Sequence, residues 1–352
     1  MSRAFSPTRF MTFDPRNILV IDFGQMGDVM LSLPALAALR QRFPRARITV
    51  AVGKPGRQIV ELTGSANETL VVDRVELRDG FVPASLFKIA RLVGEVRRRR
   101  FDFVIDLHSL SETNLLGFLS GAPRRLYSRR PGRSLDFLSN FRPAPPVEDR
   151  EKHAVERYLD VLAPLAVGEV SRTPRLPLRP EAERAVDQLF RKEKLGKDAP
   201  LVGIFPGAGH PSRQWSLERF AQIAERVARN DNLRTLVFLG PEERAVAREI
   251  RAAFPARTTT FIEKLDIAQL ASALARLSVL VSNDTGPVHV AASVGTPVVV
   301  LVGRPTRDGY EPVGARHRTI YGRDIDAITV EEVYAATRTA LAAERTASIF
   351  AS

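Results

Sequence analysis

The 352 residues carry a formal net charge of +12, with 44% apolar and 26% charged side chains and no cysteine. That length and apolar content suffice for two cores of ordinary size; the missing cysteines exclude disulfides and thiolate metal sites and fit a reducing compartment. The opening "MSRAFSPTRFMTFDPR" has neither an apolar h-region nor a small-residue cleavage site, and no window approaches about eighteen uninterrupted apolar residues, so a cytoplasmic protein without a membrane span is expected. The positive field attracts nucleic acid, anionic lipid or a phosphorylated substrate without distinguishing them.

In chain order, "NILVIDF" (17–23) reads as a buried strand, "DVMLSLPALAALRQRF" as a helix with Pro34 near its start, and "RITVAVG" (47–53) as the next strand, which makes a βαβ unit. The arginine run 97–100 suits the C-terminus of a helix. "FDFVIDLHS" (101–109) is another strand, "NLLGFLSGA" a short helix ending at Gly121, and "RRLYSRRPGR" (124–133) a Gly/Pro-punctuated basic loop. "EKHAVERYLDVLAPLAV" again has helical spacing. "SRTPRLPLRP" (171–180) has no helical period and reads as a linker. Beyond it, "PLVGIFPGAG", "LRTLVFLG", "LSVLVSND" and "TPVVVLVG" read as buried strands, with "SLERFAQIAERVAR" and "DIAQLASALARL" as amphipathic helices between them. Near-continuous apolar strands joined by helices imply parallel sheets covered on both faces. The expected organisation is a first Rossmann-like domain over 15–175, a second over 181–326, and a C-terminal helical segment, 327–352, that could pack back on the first. Two such halves would face each other across a cleft, with ligands at the carboxyl ends of the strands.

The motifs fall at those ends. "GQMGDV" (24–29) joins the first strand to its helix, where amides face an anion or Asp28 simply caps the helix. It is neither a dinucleotide fingerprint nor a P-loop. "FPGAGHPSRQW" (205–215) places a Gly turn and Arg213 near a helix start, an arrangement suited to a diphosphate without a dedicated metal or to an ordinary tight turn; Trp215 reads as a packing anchor. In "NDTGPVH" (283–289), Asp284 can accept from sugar hydroxyls, Gly286 permits a sharp turn, Pro287 suits a first helical position, and Thr285 and His289 can meet phosphate; an N-cap pair with a semi-buried histidine is the plainer alternative.

Taken together, "ILVIDFGQMGDVMLSLPALAALRQRFPRARITVAV", "FDFVIDLHSL", "KHAVER", "FPGAGHPSRQWSLERFAQIA" and "SNDTGPVHVAASVGTPVVVLVG" resemble the lipopolysaccharide heptosyltransferase family, glycosyltransferase family 9, over residues 17 to 303. The resemblance implies a GT-B fold and inverting transfer of a sugar, usually heptose from ADP-heptose, to a lipopolysaccharide inner-core acceptor at the cytoplasmic face of the inner membrane. It implies Asp28 as the catalytic base. Donor contacts would come from Arg213, Asp284, Thr285, Gly286 and His289, with Glu243 and Leu265 of "EKLD" (263–266) as base or ribose contacts. Gly27, His108, Arg129, Arg130, His153 and Arg157 would face an anionic glycolipid acceptor, with no cofactor, no metal and no specific nucleic acid. Arg213 stands where many members have Lys, and "DLHS" where many read D-x-Q-G, so acceptor choice stays open. Other readings are a different nucleotide-sugar transferase, a nucleotide-sugar epimerase on the same scaffold, a transferase relict that only binds, or a basic nucleic-acid-binding protein, for which aromatic content is low at 7%.

Overall fold

The computed structural model describes residues 13–72, 83–196, 200–303 and 309–351; the first twelve residues of the opening stretch lie outside them. Two compact units, Met1–Pro174 and Arg175–Ser352, meet within the proline-rich stretch.

The first unit is built on five parallel strands: β1 (Asn17–Asp22), β2 (Arg47–Val52), β3 (Glu68–Val71), β4 (Phe103–Asp106) and β5 (Arg124–Tyr127), in the order β3-β2-β1-β4-β5. Strand order reverses between β1 and β4, which pair with Ile21 opposite Asp106. The crevice where ligands bind in open α/β sheets is therefore flanked by the loops after these two strands. Both strands are buried almost throughout because helices cover the sheet. Helix α1 (Met26–Arg42) runs through Pro34, which is buried in it, and α2 (Lys54–Thr63) leads to β3. Helix α3 (Pro83–Arg98) carries Arg97 and Arg98 in its last turn, and α4 (Ser111–Leu119) is followed by Gly121 at φ +77°. Helix α5 (Ala154–Val161) is shorter than the spacing suggested. Pro164 lacks the N–H needed to continue it, and a 3-10 turn follows at Ala163–Leu165. Phe13 closes one flank, edge-on to Phe43 and Phe103.

One expectation is corrected. The basic stretch from residue 124 is not all loop: Arg124–Tyr127 is the edge strand β5, with Leu126 and Tyr127 fully buried against β4. Two buried residues followed by a turn are enough for an edge strand, although the flanking arginines hide it.

The second unit has six parallel strands: β6 (Leu201–Phe205), β7 (Arg234–Leu239), β8 (Thr259–Glu263), β9 (Val279–Asn283), β10 (Val298–Val302) and β11 (Arg318–Tyr321). Their order, β11-β10-β9-β6-β7-β8, reverses between β6 and β9. Helix α6 (Pro180–Lys192) starts on proline and packs on α9 (Ile267–Leu274); α7 (Leu217–Asp231) and α8 (Ala247–Ala253) flank β7, and α10 (Gly286–Ser293) follows β9. The C-terminal segment forms α11 (Val330–Ala351), which packs on α7 and on β9, β10 and β11 of its own unit.

Asn283, fully buried at the end of β9, ties the switch point together: its Oδ1 accepts from Trp215 N at 3.0 Å and its Nδ2 donates to the Pro206 carbonyl at 2.8 Å. Trp215 is a packing anchor with no exposed surface, and its Nε1 donates to the Ile328 carbonyl at 3.0 Å. Asn283→Ala should therefore cost about 2–6 kcal/mol in urea unfolding, because a buried amide and carbonyl each lose a partner at about 1–3 kcal/mol. A loss under about 0.5 kcal/mol would show that the loop holds itself.

Candidate active site

In the first unit the polypeptide leaves β1 at Asp22, turns through Gly24 and enters α1 with Asp28 in its first turn. Gln25 N donates to Asp28 Oδ2 at 2.7 Å, so the carboxylate satisfies an amide that the helix leaves unpaired. A methyl carbon at Gly24 would stand 2.3 Å from Asp28 Cβ, so glycine is needed here because Asp28 folds back over it. Gly27, expected on the acceptor side, lies beside Asp28 in the same first turn and is half-buried.

Beneath this loop lie two fully buried acids that the motif reading passed over. Asp22 Oδ1 accepts from Gly24 N at 3.1 Å and its Oδ2 from Ser32 Oγ at 2.6 Å. Asp106 accepts from Ser109 N and Asn114 Nδ2, both at 2.7 Å. Burial raises the Asp22 carboxyl from 3.8 to about 6 and the Asp106 carboxyl from 3.8 to about 7; their hydrogen bonds and the Arg130 guanidinium oppose the rise. Both close a strand with the same three letters, Val-Ile-Asp, and an acid ending an apolar run is the signal that could have found them.

The acceptor-side residues divide. Arg129 is exposed. Arg130 is mostly buried: its Nη2 lies 3.0 Å from Glu148, and its Nη1 donates to the His108 carbonyl. Arg157 Nη1 approaches the same Glu148 oxygen at 3.6 Å. Arg130 and Arg157, expected to reach out to acceptor phosphates, thus converge on a buried carboxylate, since two guanidiniums under the surface need a counter-charge. Glu148, the hub of this triad, carries no motif and becomes visible only in the fold. His108 is half-buried in the loop after β4. His153 caps α5, its Nδ1 accepting from Val155 N at 3.2 Å, which places the proton of the neutral ring on Nε2.

In the second unit, Asp284, Thr285 and Gly286 follow β9 directly. Thr285 is the extended N-cap residue of α10, and Pro287 is its second residue. His289 is buried within the first turn and a half. Arg213 is exposed at the end of a 3-10 turn, Pro211–Arg213, in the loop after β6, and so shares the β6/β9 switch point with Asp284. Asp284 has its carboxyl raised by burial, an effect eased by Arg213 and reinforced by Glu311. Glu311 in turn accepts from Tyr321 Oη at 2.6 Å, and the Tyr321 hydroxyl is pushed up to about 12 by burial and by Glu311. Two acids, a guanidinium and a phenol therefore gather there; sequence reasoning missed Glu311 and Tyr321 because they lie in a separate segment brought in by β11.

Glu243 is buried, not solvated: its Oε2 accepts from Gly240 N at 2.8 Å, and a methyl at Gly207 would overlap its Oε1. Desolvation raises its carboxyl. Leu265 is half-buried just before Asp266, the residue whose Oδ1 caps α9. Among the described residues, no group of three or more His, Cys, Asp or Glu side chains could hold a metal ion, and no helix is long and apolar enough to cross a membrane.

The sequence profile of glycosyltransferase family 9 (heptosyltransferase) matches residues 89–334. The chain belongs to this family. It is 25% identical over 316 residues, 86% of this chain and 87% of the other, to lipopolysaccharide heptosyltransferase 2 of Salmonella typhimurium. Among solved structures, the family 9 glycosyl transferase of Veillonella parvula superposes with a TM-score of 0.77 at 26% identity, covering 94% of this chain and 98% of that one. The Escherichia coli heptosyltransferase WaaC with ADP-2-deoxy-2-fluoro heptose superposes at 0.70 with 21% identity, over 92% and 99% of the two chains. The fold is GT-B, and the protein is a glycosyltransferase of the heptosyltransferase family.

The buried acids give a pH dependence of stability. A carboxyl whose folded value lies above its unfolded one keeps its proton in the native state when the unfolded chain has already lost it, so stability falls as pH rises from 3.8 toward about 7 and is flat above. Each pH unit across which only the folded protein holds that proton lowers stability by about 1.4 kcal/mol. Asp106→Asn should abolish this part of the decline, measured by urea unfolding across pH 4.5–8. A variant that kept the full wild-type slope would exclude Asp106 as its source.

Proposed function

We propose that this glycosyltransferase moves heptose from ADP-heptose to a phosphorylated lipopolysaccharide inner-core acceptor with inversion, and that Asp28 is the general base. The observation carrying the reading is the position of Asp28: it is a half-buried carboxylate at the carboxyl end of β1, beside the switch point of its sheet. The acceptor hydroxyl gives its proton to Asp28 as its oxygen bonds to the anomeric carbon, while the bond from that carbon to the diphosphate breaks and its electron pair leaves with the nucleotide. General-base assistance of this kind is worth roughly 10²- to 10⁴-fold. Arg213, His289 and the amides opening α10 take up the charge of the departing diphosphate, in the manner of an anion site at a helix N-terminus. Asp284 addresses sugar hydroxyls, as a carboxylate that accepts but does not donate. These positive groups answer the leaving-group charge with protein atoms alone, so the reading includes turnover without a divalent metal or other cofactor.

Adenine and heptose enter this reading from the relatives, one of which was solved with an ADP-heptose analogue. Titration with ADP-, GDP-, UDP- and dTDP-sugars should give saturable binding for ADP-heptose. Asp28→Asn should leave that affinity nearly intact and lower turnover by roughly 10²-fold or more, and wild-type turnover should persist in EDTA. Near-normal turnover in Asp28→Asn would remove Asp28 from the base role, and tighter binding of another nucleotide sugar would replace the donor.

Peripheral contact with an anionic membrane surface belongs to the same reading. Leu115 and Phe118, one turn apart on the outer side of α4, are 45% and 44% exposed, and Phe137 is 76% exposed. Leu135 N donates to Asn114 Oδ1 at 2.8 Å and Arg125 Nε to the Leu138 carbonyl at 3.0 Å, which lays Phe137 along α4; the Arg125 guanidinium sits 5.3 Å from the centre of the Phe118 ring. Of the six arginines in residues 124–142, Arg124, Arg129, Arg133 and Arg142 are exposed, a basic margin beside an apolar patch that suits anionic lipid headgroups. The protein should float with phosphatidylglycerol vesicles and not with phosphatidylcholine ones, and Phe118→Ser/Phe137→Ser should lose most of that binding. Equal flotation of the double variant would move the contact elsewhere.

A further inference from the structure

The strand-end acid Asp22 has a geometry that no anion-binding loop requires. A methyl carbon at Gly24 would stand 3.0 Å from Asp28 Cγ and 3.1 Å from Asp22 Oδ1, so the two carboxyls lie within about 6 Å of one another, both against a residue with no side chain. Asp28 is half-buried, whereas Asp22 has no exposed surface. Like charges at this separation disfavour each other's ionisation.

Ser32 makes both protonation states of Asp22 tenable. Its Oγ is 2.6 Å from Asp22 Oδ2 and 3.0 Å from the Val29 carbonyl. When Asp22 is ionised, the serine proton points at it. When Asp22 is protonated, its own proton can point at Ser32 Oγ, and the serine proton turns to Val29. A hydroxyl with one donor and two acceptor sites can serve either arrangement without leaving a buried polar atom unpaired.

We infer that Asp22 is a positioning residue for Asp28: the two carboxyls against Gly24 titrate as one coupled pair, Ser32 lets the buried member hold or release its proton, and Asp22 thereby sets how strong a base Asp28 is. The inference rests on Asp28 being the base. The other charges around the pair come from every neighbouring element. Arg130, after β5, acts on Asp22 and is itself held by Glu148 together with Arg157. Asp106 ends β4 next to β1, His108 follows it, and Lys54 opens α2, whose preceding Gly53 lies near the Gly24 carbonyl. Desolvation already holds the Asp22 carboxyl high, and Asp28 pushes it further in the same direction.

The consequence is a two-step rise of turnover with pH. The first step follows ionisation of the more exposed Asp28; the second follows Asp22, whose charge strengthens Asp28 as a base. Turnover should be followed from pH 4.5 to 9 with saturating ADP-heptose and phosphorylated lipid A carrying its acidic sugars. Asp22→Asn should collapse the profile to one step and lower the alkaline plateau roughly three- to tenfold. Ser32→Ala should keep two steps and move the upper one to higher pH, because ionised Asp22 loses a charge-assisted donor. Carbon-13 carboxyl NMR of Asp28 without substrate should likewise titrate in two steps in the wild type and in one in Asp22→Asn.

The outcomes separate the two ideas. Near-normal turnover of Asp28→Asn defeats the base assignment, and the NMR titration then still reports whether the acids are coupled. Asp28 essential, with Asp22→Asn retaining two steps or losing activity equally at every pH, overturns the inference alone. If Asp22→Asn does not fold, an unmoved upper step in Ser32→Ala overturns it.

Discussion

Covering a parallel sheet on both faces leaves nowhere inside it for polar chemistry, and both units of this protein obey that constraint. The middle strands β1, β4, β6 and β9 are almost wholly buried, so hydrogen-bonding side chains collect where the strands end and the backbone turns. In each sheet the order reverses once, between β1 and β4 and between β6 and β9. The loops at those two places carry nearly every group with a claim to chemistry.

At the first reversal the cost of polarity is carried by buried acids. Asp22 and Asp106 hold the backbone of the following turns through Gly24 and Ser109, while Arg130 balances them from β5's loop and is itself balanced by Glu148. Asp28 stands on this layer, fixed by the Gln25 amide. The guanidiniums that a linear reading assigns to an acceptor are thus partly spent inside the protein, and the exposed Arg129 is the one left at the surface of that set. At the second reversal neutral polarity does the same work: Asn283 pins the Pro206–Trp215 loop, and the acids Asp284 and Glu311 meet the exposed Arg213 and Tyr321.

Periodicity and strand-end punctuation were enough to read two α/β halves, the proline-rich junction between them, and the loops "GQMGDV", "FPGAGHPSRQW" and "NDTGPVH" as the places where function would sit, because runs of apolar residues and Gly/Pro turns are local properties of the chain. The short edge strands β3, β5 and β11 escaped, since four residues with at most two of them buried leave little pattern. Glu243 shows the same limit at a single residue: an acid after "LG" looks solvated until Gly207, more than thirty residues earlier, is seen to make room for it.

The sequence by itself determined the fold class, the family and which loops lie at the strand ends, because each depends on residue order within one segment. Tertiary structure alone decided which charges are available. Arg130 and Arg157 meet on Glu148, Asp22 comes within reach of Asp28 beside Gly24, and Glu311 joins Asp284 through an edge strand. The physical reason is that an ionisable group's state follows from its burial and from charges a few ångströms away, and those neighbours arrive from strands and loops that the linear chain keeps apart.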